Sequence, residues 1–316
     1  MSTVSANTAT VPARLLAALR CPTSSEEQHV YDPAAETITF PGAGTNYSAQ
    51  HGIPSMVLGG PASQSWNAHR LDKVKMMNNN YYLRAKGDLP EKEASKSYAR
   101  LLERRGLYLP GDTLLDLGCA SGHFLRSFRR LLDENILYTG LDTDAQSLLW
   151  GKEVFGVDNR CNFVHGDCTA MPLKSNSFDT IVVNLFHFFP NVEVVLREAM
   201  RVARKWIIWR TPIGEINYII KEIYTQSFKE LGVLTPDRDD FEYSIYMLYT
   251  KQYIEELVEH LCGSVDFIER DTDFGDFDNT VYDDFKHVTA TKTVAGMQVN
   301  GNLILDWHYI GIRCRV

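Results

Sequence analysis

The sequence predicts an α/β protein with a seven-stranded, mostly parallel sheet and helices on both faces, and three observations carry that prediction. Strand-like and helix-like segments alternate from about residue 113 onward, which favours helices packed on both sides of a parallel sheet. An apolar run, Leu114-Leu115-Asp116-Leu117, leads into a turn rich in small residues, Gly118, Ala120 and Gly122. Acidic residues then recur where the next strands end, at Asp142 and Asp167, the edge of such a sheet where ligands bind.

Taken in order, residues 1–10 are small and polar and read as a tail. The region up to about 95 is rich in Pro, Gly, Ser and Asn, with short extended pieces at Val30-Tyr31 and Thr37-Ile38-Thr39-Phe40, and reads as an accessory segment. A helix is expected from Glu91 to Arg105, with Tyr98, Leu101 and Leu102 on one face, closed by Tyr108-Leu109-Pro110-Gly111. Strands are expected near 113–117, 136–141, 161–164, 178–183 and 205–210, and helices near 122–132, 145–155 and 191–203. Val192, Val195, Leu196 and Ala199 recur at helical spacing, as do Ala145, Leu148, Leu149 and Phe155, and Asp144 and Asn191 are placed to cap those helices. A helix near 250–262 and strands near 265–270 and 303–313 complete the sheet. The domain division is therefore 1–95 and 96–316, with insertions near 211–249 and 271–302 that are long for strand connections.

The glycine-rich turn lets a ligand approach the backbone, and a helix starting near Gly122 aims positive partial charge at it. A three-glycine dinucleotide fingerprint is not met, because Ala120 holds the middle position. Tight packing of the turn on the sheet explains the glycines equally well. Asp116 can orient a bound group through a hydrogen bond or water. Asp142 can accept from two ribose hydroxyls or serve a local turn, and Asp167 with the Cys168 backbone can recognise an adenine edge.

Together, DLGCASG, LDTD, GDCTAMPLKSNSFD and NLFHFF, in that order, resemble the landmarks of class I S-adenosylmethionine-dependent methyltransferases over roughly residues 98–270. The resemblance implies a Rossmann-like domain with S-adenosyl-L-methionine as cofactor. It implies contacts from Gly118, Ala120 and Gly122 at the methionine end, Asp142 at the ribose, Asp167 and Cys168 at the adenine, and Asn184 or Leu185 near the sulfonium, with Thr143 also among the cofactor-binding residues. Pro-Gly-Gly often follows the helix in this family, whereas Lys205-Trp206-Ile207-Ile208 follows here. In the accessory segment, LRCP at 19–22, ITFP at 38–41 and HGIP at 51–54 resemble a small zinc-ribbon-like module. Cys21 lacks the second cysteine of a CxxC knuckle, and one thiolate does not make a zinc site, so a metal-free remnant is expected. His29 and His51 read as turn or surface residues.

The acceptor is less legible. His187, just past the fourth strand, is the candidate general base, with a packed pocket histidine as the plain alternative. Tyr81, Tyr82, Trp206 and Trp209 are further pocket candidates. Tyr243, Tyr246 and Tyr249 have a spacing that fits a helix face. Asp271, Asp273, Asp276, Asp278, Asp283 and Asp284 would favour a cationic acceptor, or form a solvated loop. A net charge of -8 disfavours nucleic acid as a partner. Six scattered cysteines and the lack of a long apolar run point to a cytoplasmic protein with no membrane segment. A small, polar or amine-bearing molecule methylated on oxygen or nitrogen is the leading expectation. RNA and a noncatalytic scaffold are the alternatives, and a homodimer through the insertions is left open.

Overall fold

A computed structural model describes residues 10–58, 71–189, 191–223, 243–272, 292–294, 297–300 and 303–314. Helix α1 (Ala13–Ala18) precedes a small antiparallel sheet of β1 (Val30–Asp32), β2 (Thr37–Phe40) and β3 (Thr45–Ser48). Helices α2 (Leu71–Lys86) and α3 (Glu93–Arg104) follow. The alternating core comprises β4 (Thr113–Leu117), α4 (Phe124–Leu131), β5 (Leu137–Asp142), α5 (Ala145–Phe155), β6 (Cys161–His165), β7 (Phe178–Val183), α6 (Val192–Val202) and β8 (Ala203–Pro212). The C-terminal part adds the hairpin β9 (Tyr218–Ile223) and β10 (Tyr243–Leu248), then α7 (Lys251–His260) and β11 (Ser264–Arg270). A second small sheet of β12 (Lys292–Val294), β13 (Met297–Asn300) and β14 (Leu303–Leu305) leads to β15 (Trp307–Arg313).

The main sheet has seven strands in the order β11-β15-β8-β7-β4-β5-β6. Strands β8, β7, β4, β5 and β6 pair in parallel, and β15 runs antiparallel between β8 and β11. The pleat sends neighbouring residues to opposite faces. Leu115, Ile181 and Ile207 join one apolar cluster with α1, α6 and α7, while Leu114, Val182 and Ile208 join another with α3, α4 and α5. Both faces are thus covered, and the parallel strands read as near-continuous apolar runs.

The accessory segment packs onto the first of these faces. Leu15, Leu19, Cys21 and Phe40 share a cluster with Cys168, Met171 and Leu173, and backbone bonds run from Lys174 N to Ala18 O and from Arg20 N to Pro172 O. Ser55 forms a parallel bridge to His165 at the end of β6. The zinc-ribbon likeness is not shown. The Cys21 sulfur lies among the hydroxyls of Thr23, Thr45 and Tyr47, and no group of three metal-ligating side chains occurs among the described residues.

Several expectations need correction. Tyr246 belongs to a strand and Tyr249 follows in an isolated bridge, so the residues from 243 are not a helix: pairing with β9 overrides the three-residue spacing. Asp144 and Asn191 precede their helices without capping a backbone amide, because Asp144 instead accepts from Asn78 and from the Ser147 hydroxyl. The strand expected over 303–313 breaks at Asp306, whose carbonyl accepts from Ile213 N. Asp271 is no solvated loop residue, being buried against Arg210; Asp273, Asp276, Asp278, Asp283 and Asp284 lie outside the described residues. Among the described residues no helix is long and apolar enough to cross a membrane.

Leu19 is fully buried where the accessory segment meets the sheet. Leu19→Ala is expected to cost about 2–5 kcal/mol in urea unfolding followed by tryptophan fluorescence, within one cooperative transition. A separate early transition would show instead that the accessory segment unfolds on its own.

Candidate active site

The turn after β4 is built by backbone constraint. Gly118 and Gly122 have φ of 71°, and Ala120 has φ of 48°, an unusual left-handed conformation for a residue with a Cβ. Such a residue costs on the order of 1 kcal/mol, and its amide is held in compensation by Asp142 Oδ2 at 2.8 Å. Gly118 N and Cys119 N both donate to Leu141 O, at 2.8 and 3.3 Å, tying the turn to the end of β5. A Cβ at position 118 would overlap the Leu185 side chain, so glycine is required there for space as well as for φ.

Two carboxyls flank this turn, Asp116 buried and Asp142 half-buried. Asp142 also accepts from Asp144 N at 2.9 Å; burial pushes its carboxyl up to about 6, with backbone amides acting in the opposite direction. Asp116 accepts from the Tyr138 hydroxyl at 2.8 Å, and burial pushes it up to about 7, helped by the charge of Asp142. Thr143 O lies 3.1 Å from His165 Nε2, and His165 Nδ1 lies 2.7 Å from Ser55 Oγ, so the accessory segment braces this edge. After β6, Asp167 Oδ1 accepts from the Thr169 amide and hydroxyl at 2.8 and 2.7 Å, which fixes a tight turn. The Cys168 thiol is buried and pushed well up by desolvation.

Where β7 ends, Asn184 and Leu185 lead into a short 3₁₀ turn, Phe186–Phe188. His187 is buried there, its ring 4.1 Å from that of Phe188, 5.8 Å from that of Tyr246 and 5.0 Å from that of Trp307. On the neighbouring strand Arg210 is buried, donating to Asp271 at 2.7 Å and to Asn184 Oδ1 at 3.2 Å, with its guanidinium 4.3 Å from the Trp307 ring. Tyr98 of α3 accepts from Val183 N and donates to Ile208 O, seating that helix over the ends of β7 and β8.

This arrangement coincides with a family match. Residues 115–206 match the family described as methyltransferase domain. That segment is a class I S-adenosylmethionine-dependent methyltransferase domain. Cycloartenol-C-24-methyltransferase of Arabidopsis thaliana is 37% identical over 93 residues, 28% of this chain and 27% of the relative. Demethylmenaquinone methyltransferase of Shouchella clausii is 28% identical over 127 residues, 38% of this chain and 54% of the relative. The chain therefore spans about a quarter to a half of these relatives' length. Among solved structures, magnesium protoporphyrin IX methyltransferase from Synechocystis PCC 6803, with bound SAM, has a TM-score of 0.48 and 14% identity, covering 80% of this chain and 97% of that one.

Within the methyltransferase domain, Gly118, Ala120, Gly122, Asp142 and Leu185 come together around one turn, while Asp116 faces Tyr138 beneath it. Asp167 and Cys168 sit on the next loop, and Asn184 adjoins Arg210. Tyr81 stacks on His123 at 4.2 Å, beside the turn. Other aromatic candidates lie elsewhere: Trp209 is buried against Phe186 and Tyr249, Trp206 lies under Arg313, and Tyr82 stacks on Trp150. Sequence reasoning passed over Arg210, Lys92 and Trp307. An arginine prolonging the buried run Trp206-Ile207-Ile208-Trp209 was the available signal for the first. No local pattern marks the other two, because the fold brings them in from α3's start and the last strand.

The site supports two predictions. Gly118→Ala is expected to weaken S-adenosylhomocysteine binding at least about tenfold by calorimetry, because the new Cβ displaces Leu185 into the turn. The Asp116 carboxyl titrates near 3.8 unfolded and about 7 folded, so its stabilising contribution is full below 3.8 and is lost as pH rises to about 7. Asp116→Asn removes that loss while keeping an acceptor for Tyr138. Its unfolding free energy in urea, relative to that of the native protein, should therefore climb from about pH 4 to about pH 8, by an amount on the order of a few kcal/mol; a flat difference would show that Asp116 is ionised in the fold.

Proposed function

We propose that this chain is a cytoplasmic enzyme that transfers a methyl group from S-adenosylmethionine to an oxygen or nitrogen atom of a polar small molecule. The observation that carries the reading is the turn after β4, left-handed at three positions and tied to Asp142, within the segment that matches the methyltransferase family. The donor and acceptor set fits the cofactor: a glycine-lined backbone for the methionine end, Asp142 with Thr143 for ribose hydroxyls, and Asp167 with the Cys168 amide for adenine. Met171 and Leu173 supply apolar packing beneath that loop. Asn184 and Leu185 flank the sulfonium position. When bound, the cofactor supplies an electrophilic methyl group on positively charged sulfur. The chain's own task is alignment of the acceptor and exclusion of water.

His187, Tyr246 and Trp307 form the acceptor wall in this reading, and His187 takes the proton released when the nucleophile is an alcohol or amine. Two relatives named for a sterol and for demethylmenaquinone support a small-molecule acceptor, and the net charge of -8 supports it over nucleic acid.

The test is mass spectrometry of the protein incubated with S-adenosylmethionine and extracts of its source organism. The expected result is a low-molecular-weight product gaining one methyl group together with demethylated cofactor; methylated RNA instead would overturn the acceptor class. On the product so found, His187→Gln is expected to lower kcat by about a hundredfold with KM for S-adenosylmethionine unchanged. An unchanged kcat would leave His187 as a wall residue only.

A further inference from the structure

The buried charge beside the acceptor wall has the opposite sign to the chain's surplus. Arg210 is 2% exposed, and its three nitrogens have different fates. Nε bonds Asp271 and Nη1 bonds Asn184, while Nη2 is buried without a hydrogen-bond acceptor. Asp271 Oδ1 accepts from the Ser97 hydroxyl and not from Nη2. Leaving a buried donor of a charged group unmatched is costly, and an acceptor atom brought by a ligand is one way to complete it.

A second cation, Lys92, stands at the start of α3, the helix whose Ser97 bonds Asp271, the partner of Arg210. Lys92, immediately before α3, lies 5.1 Å over the Tyr81 ring, which in turn stacks on His123 at the end of the glycine turn. Burial pushes the Lys92 ammonium down to about 7, with the positive charges of Arg84 and Arg210 acting in the same direction. Tyr98, in the same helix, is bonded to the backbone of β7 and β8, so the start of α3 is anchored beside Arg210. The aromatic faces of Trp307 and Tyr81 bound the two cations.

Resting on the methyltransferase reading above, we propose that Lys92 and Arg210 bind a carboxylate carried by the acceptor, so that the enzyme methylates an anionic small molecule rather than an aminated one. The carboxylate accepts from Arg210 Nη2 and Lys92 Nζ, and its organic portion lies along Trp307 toward His187 and the sulfonium position at Asn184.

Calorimetry on the full chain tests this, first with S-adenosylhomocysteine and then, on the saturated protein, with benzoate, benzamide and benzylamine as probes. Benzoate is expected to bind at least about tenfold tighter than either other probe. That preference should vanish in Lys92→Gln, return in Lys92→Arg, and leave S-adenosylhomocysteine affinity unchanged in both. Equal binding of benzoate and benzamide to the native protein overturns the proposal. So does a Lys92→Gln variant that loses S-adenosylhomocysteine affinity, because the cations then hold the cofactor's own carboxylate. Failure of the native protein to bind S-adenosylhomocysteine sinks the methyltransferase reading itself, a different result from loss of the benzoate preference.

Discussion

The grip of Asp142 on the Ala120 amide is the constraint from which the site is assembled. It joins the end of β5 to the turn after β4, and with two further bonds to Leu141 O it holds three successive residues in place. Without it, a left-handed alanine would have no compensation and would relax. That relaxation would shift Gly118 away from Leu185, and with it the spacing between the turn and the end of β7. The charge of the same carboxylate adds to the burial that raises the proton affinity of Asp116 on the adjacent strand. The interaction that shapes the turn thus also contributes to the titration of the acid beneath it.

The chain as a whole carries a net charge of -8, whereas β8 buries the positive Arg210. Burying a guanidinium is tolerable only with a hydrogen-bonded partner, and Asp271 supplies it from the segment after β11. The partner is itself fixed by Ser97 from α3, while Tyr309 from β15 reaches the same serine at 2.9 Å. Three distant stretches of chain thus converge on one charge.

Most of the fold was legible because its signal is periodic. The apolar runs at 113–117 and 178–183 and the helical face of Val192, Val195, Leu196 and Ala199 all fall where hydrophobic spacing puts them. The cofactor-side residues were legible for a related reason: a tight turn and the strand-end acids leave marks within a few residues of each other. The tyrosines from 243 onward misled because spacing by three carries no information about a strand's pairing partner, and β9 decides that conformation. Asp271 misled because its partner, Arg210, lies 61 residues away in sequence on β8. Arg210 and Trp307 come from distant parts of the chain, and only the pairing of β15 with β8 brings them together.

The accessory segment's attachment has a thermodynamic consequence. Its contacts at Leu173, Pro172 and His165 fall on the strand end and loop that carry Asp167 and Cys168. A ligand that orders this loop must also favour the docked form of residues 10–56, since the two share backbone bonds and one apolar cluster. By reciprocity, whatever loosens that docking weakens the ligand by the same free energy. A ligand held on that loop would therefore slow hydrogen exchange in the backbone of residues 10–56 as well.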